Sequence, residues 1–429
     1  MMKIVIVGGG VSGMFSAISA SKNQNNEIII LEKNEKLGKK LFITGKGRCN
    51  VSNACDKDSF FKNIVTNSKF LYSAFNNLSN FDLMKLIEEN GCKLKTERGN
   101  RVFPASDKSS DIIKALKKAI TKNNIKIKYN IEVKNITVDC DKNLSNSRFK
   151  VVTKNNDKIY CDKVIIATGG LSYNLTGSTG DGYKFAKDFG INITKTSPSL
   201  VPFNIYEVDE CKNLQGLTLK NVAIKIFDEK NKKIYTDFGE MLFTHFGVSG
   251  PIILSASAYI KENKNYALSI DLKPALDTNI LDMRLLREID ENKNKNLKTI
   301  LMKLLPVSFA DVFLSRIKEE IKNSNKNLFV LNSEEIENLK CRDINKIIRK
   351  IIVRLLKDFR FNIKSKRGFD EAIITQGGVD VKEINPKTME CKKVKDLYFV
   401  GEVLDVDALT GGFNIQIAAS TGFTAGKTI

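Results

Sequence analysis

Met2-Lys3-Ile4-Val5-Ile6-Val7-Gly8-Gly9-Gly10-Val11-Ser12-Gly13 opens the chain with an apolar run that ends in a cluster of glycines. Lys3 to Val7 is a short β-branched run, the composition of a buried strand. It stops at glycines that fit G-x-G-x-x-G through Gly8, Gly10 and Gly13. Met14 to Ser21 reads as a helix, and a second apolar run from Glu27 to Leu31 ends at Glu32. Strand, glycine turn, helix, strand and acid is the order of a dinucleotide-binding βαβ unit. In that unit Gly8 permits the tight turn, Gly10 lets a pyrophosphate approach the backbone, and Gly13 lets the helix pack on the strand. The helix N-terminus offers N–H groups and a positive dipole end to the phosphates. Glu32 stands where a carboxylate takes ribose hydroxyls. The apolar run is too short to cross a membrane, and three successive glycines before a second strand do not suit a signal peptide.

The remaining composition narrows the class. A length of 429 residues, 42% of them hydrophobic, suggests two or three domains with a large core. No apolar run reaches the ~18 residues of a membrane span. Eight cysteines (49, 55, 92, 140, 161, 211, 341 and 391) include no C-x-x-C, and His245 is the sole histidine, so no metal site is expected. Scattered thiols without a secretion signal point to a reducing, cytoplasmic setting. The formal charge of +20, from 69 Lys and Arg against 49 Asp and Glu, suggests a polyanionic partner, nucleic acid before membrane. A Lys-, Asn- and Ile-rich composition also fits AT-rich coding, which would favour Glu as well and so does not account for the whole imbalance.

Further along, Thr44-Gly45-Lys46-Gly47-Arg48-Cys49-Asn50 is dense in backbone donors and cations, suited to a pyrophosphate or the edge of a flavin. It is not a P-loop, because Lys40 occupies the position of the first glycine. Residues 60 to 122 read as mainly helical, and 125 to 167 as strands, the last ending in Ala167-Thr168-Gly169-Gly170. Pro198 to Pro202 reads as a boundary. Residues 203 to 273 read as short strands, except Gly239 to Pro251, and 277 to 360 as helices broken by Asn/Lys-rich loops near 292 to 297 and 323 to 327.

Lys340 to Arg367 holds the densest charge: eleven Lys and Arg against Asp343 and Asp358. Ile344, Ile347, Ile348, Ile351, Ile352, Leu355 and Leu356 form its apolar helical stripe. The opposite face is cationic, and Arg349, Lys350, Arg354 and Lys357 are the expected RNA contacts, although a solvated helix face is the usual explanation for such a pattern. Near the end of the chain, Leu397 to Val400 runs into Gly401-Glu402-Val403-Leu404-Asp405. Gly411-Gly412-Phe413-Asn414 then opens a last helix at Ile415 to Lys427. An acid after a strand can hold ribityl hydroxyls, and a helix N-terminus can stabilise an anionic reduced flavin.

These motifs, together with Phe243-Thr244-His245-Phe246-Gly247-Val248-Ser249-Gly250-Pro251, make the chain resemble the BaiN/RdsA family of FAD-dependent oxidoreductases over nearly its whole length. Lys46 departs from the small residue expected in its motif. The resemblance implies an α/β, glutathione-reductase-like FAD domain in two parts, 1–196 and 366–429. Between them it implies a β-barrel insert at 197–276 and a helical, basic subdomain at 277–365. It implies reduction of uridine to dihydrouridine in 23S ribosomal RNA, or else reduction of C=C bonds in bile-acid intermediates, with amine oxidation a further small-molecule alternative.

The expected cofactor residues are Gly8, Gly10, Gly13, Glu32, Lys33, Lys40, Thr44, Gly45, Gly47, Arg48, Asn50, Val133, Thr168, Gly169, Gly401, Glu402, Asp405, Gly412, Phe413, Asn414 and Ile415. No second G-x-G-x-x-G follows a strand, so NAD(P)H is expected as a transient donor without its own domain. Cys49 is the first candidate proton donor and His245 the second; a small buried packing residue and a structural hydrogen bonder are the competing readings.

Overall fold

The computed structural model describes residues 1–139, 148–323 and 338–429. Cys140 and the Asn/Lys-rich stretch expected near 323 to 327, beyond its first residue, lie outside the described residues. The chain divides into two compact units, Met1–Leu200 with Gly368–Ile429, and Val201–Arg367.

In the first unit β1 (Met2–Val7) pairs in parallel with β2 (Asn26–Leu31), Val7 opposite Leu31, and α1 (Val11–Ala20) crosses between them. Parallel neighbours need such a crossover, and it puts helices on the sheet's face. On the far side of β1 lie Lys163–Ile166 and then Leu397–Phe399, and Lys126–Lys128 flanks β2, giving five parallel strands. Ile4, Val5 and Ile6 are fully buried, which is why these strands read as continuous apolar runs rather than alternating ones. The C-terminal helix Phe413–Lys427 returns to pack on α1. A Cβ at Gly422 would lie 2.2 Å from the Ser12 carbonyl oxygen, so the glycine sets how closely the two helices approach. Within 60–122 the chain also makes a small antiparallel pair, Leu94–Glu97 with Arg101–Pro104, which the helical reading of that stretch did not anticipate.

The second unit is a closed six-stranded barrel with helices. Its strands are Phe203–Ile205, Thr218–Asp228, Lys233–Thr244, Gly247–Ser249, Tyr266–Asp271 and Phe359–Lys366. The sequence reading set 239 to 251 apart from the strands. In the structure one strand runs through Thr244, the next is Gly247–Ser249, and the helix Pro251–Ser257 follows. Gly247 mimics a chain break for a tertiary reason: a Cβ there would lie 2.2 Å from the Phe203 carbonyl oxygen of the neighbouring strand. The closing strand, Phe359–Lys366, lies outside the 197–276 stretch read as barrel. Phe243, Phe309, Phe359 and Phe361 fill the interior, with the Phe309 and Phe359 ring centroids 5.1 Å apart. Among the described residues no helix is long and apolar enough to cross a membrane, and no cluster of three or more His, Cys, Asp or Glu could hold a metal.

Candidate functional site

The turn after β1 is built as its glycines demand. Gly8 adopts φ +108°, and a Cβ there would lie 2.5 Å from the Ala167 carbonyl oxygen. A Cβ at Gly13 would lie 2.0 Å from the Gly8 carbonyl oxygen, whereas one at Gly10 would meet nothing within 4 Å. Gly8 and Gly13 thus serve close packing, and Gly10 keeps a space open. That space is a cleft of about 340 Å³, within the size range of small-molecule sites.

Fifteen of the expected cofactor residues line the cleft: Gly8, Gly10, Glu32, Lys33, Lys40, Thr44, Gly45, Asn50, Val133, Thr168, Gly169, Glu402, Gly412, Asn414 and Ile415. Two helices begin there. α1 starts after Gly10 and the C-terminal helix after Gly412, and neither N-terminus has a side-chain cap. Uncapped helix starts leave N–H donors and positive dipole ends facing a ligand. Two polar atoms of the lining, Thr168 Oγ1 and Asn50 Oδ1, are buried with no hydrogen-bond partner. An orphaned buried polar atom costs about 1–3 kcal/mol, a cost that a polar ligand removes. An open Gly10, two uncapped helix starts and the Thr168 hydroxyl fit the phosphate and ring oxygens of FAD, and Asn50 Oδ1 fits a donor such as a ribityl hydroxyl or a ring N–H.

Charged residues of the lining are held by partners from distant parts of the chain. Glu32 is only 7% exposed; one of its oxygens accepts from the Gly9 N–H at 2.8 Å and the other from Asn34 N and Nδ2 at 2.8 and 2.7 Å. Lys33 Nζ donates to Thr179 Oγ1 and Asp181 Oδ2 at 2.6 and 2.7 Å. Lys40 Nζ donates to Glu402 Oε2 at 2.5 Å and to Ser172 Oγ at 2.6 Å. The other Glu402 oxygen accepts from Ser172 Oγ and the Thr375 N–H. Asn414 clamps a loop, accepting from Ala408 N and donating to Ala408 O. Sequence reading found Lys40 and Glu402 singly; Ser172, Thr375, Asn34 and Asp181 carry no local signal.

The other expected residues stand behind the lining or elsewhere. Gly13 packs on Gly8, Gly401 on Ser12, and Phe413 is buried against Phe60. Gly47 adopts φ +84° in the turn and does not reach the cleft wall. Asp405 is buried, which pushes its carboxyl pKa up. Arg48, expected along the flavin, instead pairs with Glu97 and with Asp107 and covers the Phe103 ring at 4.2 Å. Its bond holds Glu97 below the usual carboxylate pKa, and Lys95 together with Arg48 does the same for Asp107.

Cys49 is fully buried and outside the lining, and burial pushes its thiol up to about 12. Packing, the competing reading of this residue, is the role its surroundings describe. His245 belongs to the second unit, exposed in the turn between two barrel strands, its ring edge-on to Phe246. In the helix Lys346–Lys357, Arg349 pairs with Asp282 at 2.7 Å, Arg354 with Glu320 at 2.6 Å and Lys357 with Asp271 at 2.6 Å. Only Lys350, of the four expected RNA contacts, has no ion-pair partner among the described residues. An internal acid neutralises each of the other three.

Fold and cleft define a class: an oxidoreductase built on a glutathione-reductase-like, Rossmann-type FAD-binding fold, with a barrel insert. The chain belongs to the HI0933-like family, whose model, an HI0933-like protein Rossmann domain, matches residues 2–428. It is 31% identical to the ribosomal RNA dihydrouridine synthase of Haemophilus influenzae over 99% of this chain and 98% of that protein. Against the 3-dehydro-bile acid delta(4,6)-reductase of Clostridium scindens it is 26% identical, over 100% of this chain and 98% of that protein. These relatives bear out the resemblance to the BaiN/RdsA family. A solved 3-ketosteroid-delta4-(5alpha)-dehydrogenase from Rhodococcus jostii shares the fold, with a TM-score of 0.50, 12% identity, and coverage of 99% of this chain and 97% of that one.

Proposed function

We propose that this protein is an FAD-dependent reductase that converts uridine to dihydrouridine in 23S ribosomal RNA. The observation that carries the reading is its likeness, along essentially the whole of both chains, to a synthase of that name. The excess of 20 positive charges supports a polyanionic substrate.

In this reading the start of α1, beside Gly10, holds the pyrophosphate, and Glu32 keeps its turn in place while facing the ribose. The N–H groups at the start of the C-terminal helix, Gly412 to Ile415, would stabilise negative charge on the reduced ring. Thr168 and Asn50 donate to or accept from the cofactor's polar groups. Lys40, locked to Glu402, places a fixed positive charge in the cleft. Bound FAD, reduced by a transient NAD(P)H, would supply a hydride to uracil C6; with a proton from solvent at C5, two electrons and two protons in all saturate the bond. Cys49 is not proposed as the acid, because its thiol is enclosed by packing. A stacked base cannot reach the cleft, so the target uridine is unpaired or flipped out.

The test is nucleoside mass spectrometry of ribosomal RNA from cells with and without the gene, alongside a flavin absorbance spectrum of the purified protein. Loss of dihydrouridine from large-subunit RNA in the deletion, restored by the wild-type gene, is the expected result. Unchanged dihydrouridine beside a yellow, NAD(P)H-reducible protein would turn the assignment to the second reading, a small-molecule C=C reductase. The likeness to the bile-acid reductase favours that alternative.

A further inference from the structure

We propose that the second unit grips the phosphate backbone of RNA with the lysine-rich rim of its barrel, at the turns 228–233 and 261–265, rather than with its basic helix. This inference rests on the reading of the substrate as RNA and names the surface that would hold it.

The first turn is rigid by construction. Asp228 Oδ1 accepts the backbone N–H groups of Lys230 and Lys232, each at 2.9 Å, and Asn231 adopts φ +59° between them. The Asp228 carboxylate is thereby occupied by backbone, and Lys230, Lys232 and Lys233 are all exposed. The barrel register brings a second turn to the same rim: Asp228 lies opposite Tyr266, and Phe227 opposite both Lys233 and Ala267. Tyr266 OH accepts the Lys261 N–H at 3.1 Å, tying down the loop that carries Lys261 and Lys264, both exposed. On the next strand Ile363 lies opposite Tyr266, so the exposed Lys364 joins the edge. An aromatic surface adjoins it, Phe227 under the Arg360 guanidinium at 5.1 Å.

These six lysines have no side-chain ion pair among the described residues, and the acids within the two turns are Asp228, Glu229 and Glu262. The basic helix is the reverse case, three of its four expected contacts being tied to acids of neighbouring elements. A cation that must first leave a carboxylate gains little from a phosphate. A hydrated lysine on a fixed turn gives up only mobile counterions, and their release drives binding. Lysine contacts of this kind position the RNA without reading its sequence, leaving the choice of base to the flavin cleft.

The experiment uses the full-length protein and an unmodified transcript of large-subunit ribosomal RNA, with affinity measured against salt concentration. The variants are Lys230→Gln/Lys232→Gln/Lys233→Gln and the matching triple Lys→Arg. Losing three phosphate contacts should lower the salt slope by about 3, and weaken binding roughly a hundredfold near 0.1 M salt. The Arg variant should keep both. Melting temperatures of the two variants separate a lost contact from a lost fold, and the Arg variant supplies the answer if the Gln variant does not fold. A Gln variant with the wild-type slope, or an Arg variant with a collapsed one, overturns the rim. Wild-type protein without salt-dependent binding overturns it too. Dihydrouridine formation is measured separately: a slope that falls as expected in a protein that forms no dihydrouridine leaves the rim standing and removes the proposed reaction.

Discussion

The glycine turn Gly8–Gly13 and the basic helix Lys346–Lys357 both stand out in the sequence as binding elements, and the folded protein treats them in opposite ways. Around the turn, polar capacity is left over: two helix starts have no side-chain cap, and Thr168 Oγ1 and Asn50 Oδ1 have no partner. Along the helix it is consumed, because Arg349, Arg354 and Lys357 meet Asp282, Glu320 and Asp271. The cleft is marked by backbone donors and polar atoms the fold leaves unspent, not by how many charges the sequence supplies. Lys357 makes the point twice over, since its ammonium also donates to the carbonyls of Lys273 and Leu276.

Three sets of measurements test this contrast. The largest effect is expected at the turn itself. Gly13→Ala forces a Cβ to 2.0 Å from the Gly8 carbonyl oxygen, and overpacking of that kind costs roughly 1–3 kcal/mol or more. Gly10→Ala places its methyl in open space, so its melting temperature should match the wild type when both are compared without flavin, while the flavin is retained poorly. Equal losses of stability in the two variants, by thermal denaturation, would deny that the turn separates packing from ligand space.

On the helix the expected effect is smaller. Arg349→Ala strips Asp282 of a partner 2.7 Å away at a site where the arginine side chain is 17% exposed. A charge-assisted bond of this kind is worth about 1.5–3 kcal/mol, discounted here toward about 1 for the partly exposed carboxylate. Lys350→Ala, which breaks no ion pair, should stay within about 0.5 kcal/mol. Chemical denaturation of both variants distinguishes them, and identical midpoints would show that the Arg349 pair is ornamental.

The smallest effect concerns Cys49, a neighbour of the turn's loop. Its thiol is raised from 9.0 to about 12 by burial, so folding opposes its ionisation. The stability this gives is fully present below about pH 9 and is lost as pH rises toward about 12. Cys49→Ala should flatten that part of the stability curve. At pH 8 the native protein should also leave Cys49 unlabelled by iodoacetamide until it is unfolded, as read by peptide mass spectrometry; rapid labelling of the folded protein would return the thiol to the accessible surface.

Much of the first unit could be read before folding because its signals are local. The β1–α1–β2 order, the glycine spacing and the place of Glu32 each depend on neighbours within the same short stretch, and steric limits on the backbone act there directly. The apolar stripe of the basic helix was legible for the same reason: Ile348, Ile351, Ile352, Leu355 and Leu356 recur at helical spacing and are buried. The barrel was less legible. The stretch Gly239 to Pro251 was set apart from the strands, yet its Gly247 is where one strand must pass close to another.

The nucleotide-binding turn, the class of fold around it and the sign of the protein's charge were therefore legible before the chain folds. All three follow from residue type and short-range spacing. Which charges are free was decided only by the tertiary structure. Lys40 finds Glu402 from 362 positions away, Arg48 turns from the expected cofactor edge to Glu97 and Asp107, and Arg349 reaches Asp282 on another helix. The physical reason is that electrostatic pairing depends on distance in space, which no local pattern encodes, whereas a glycine's freedom to turn depends on its own backbone.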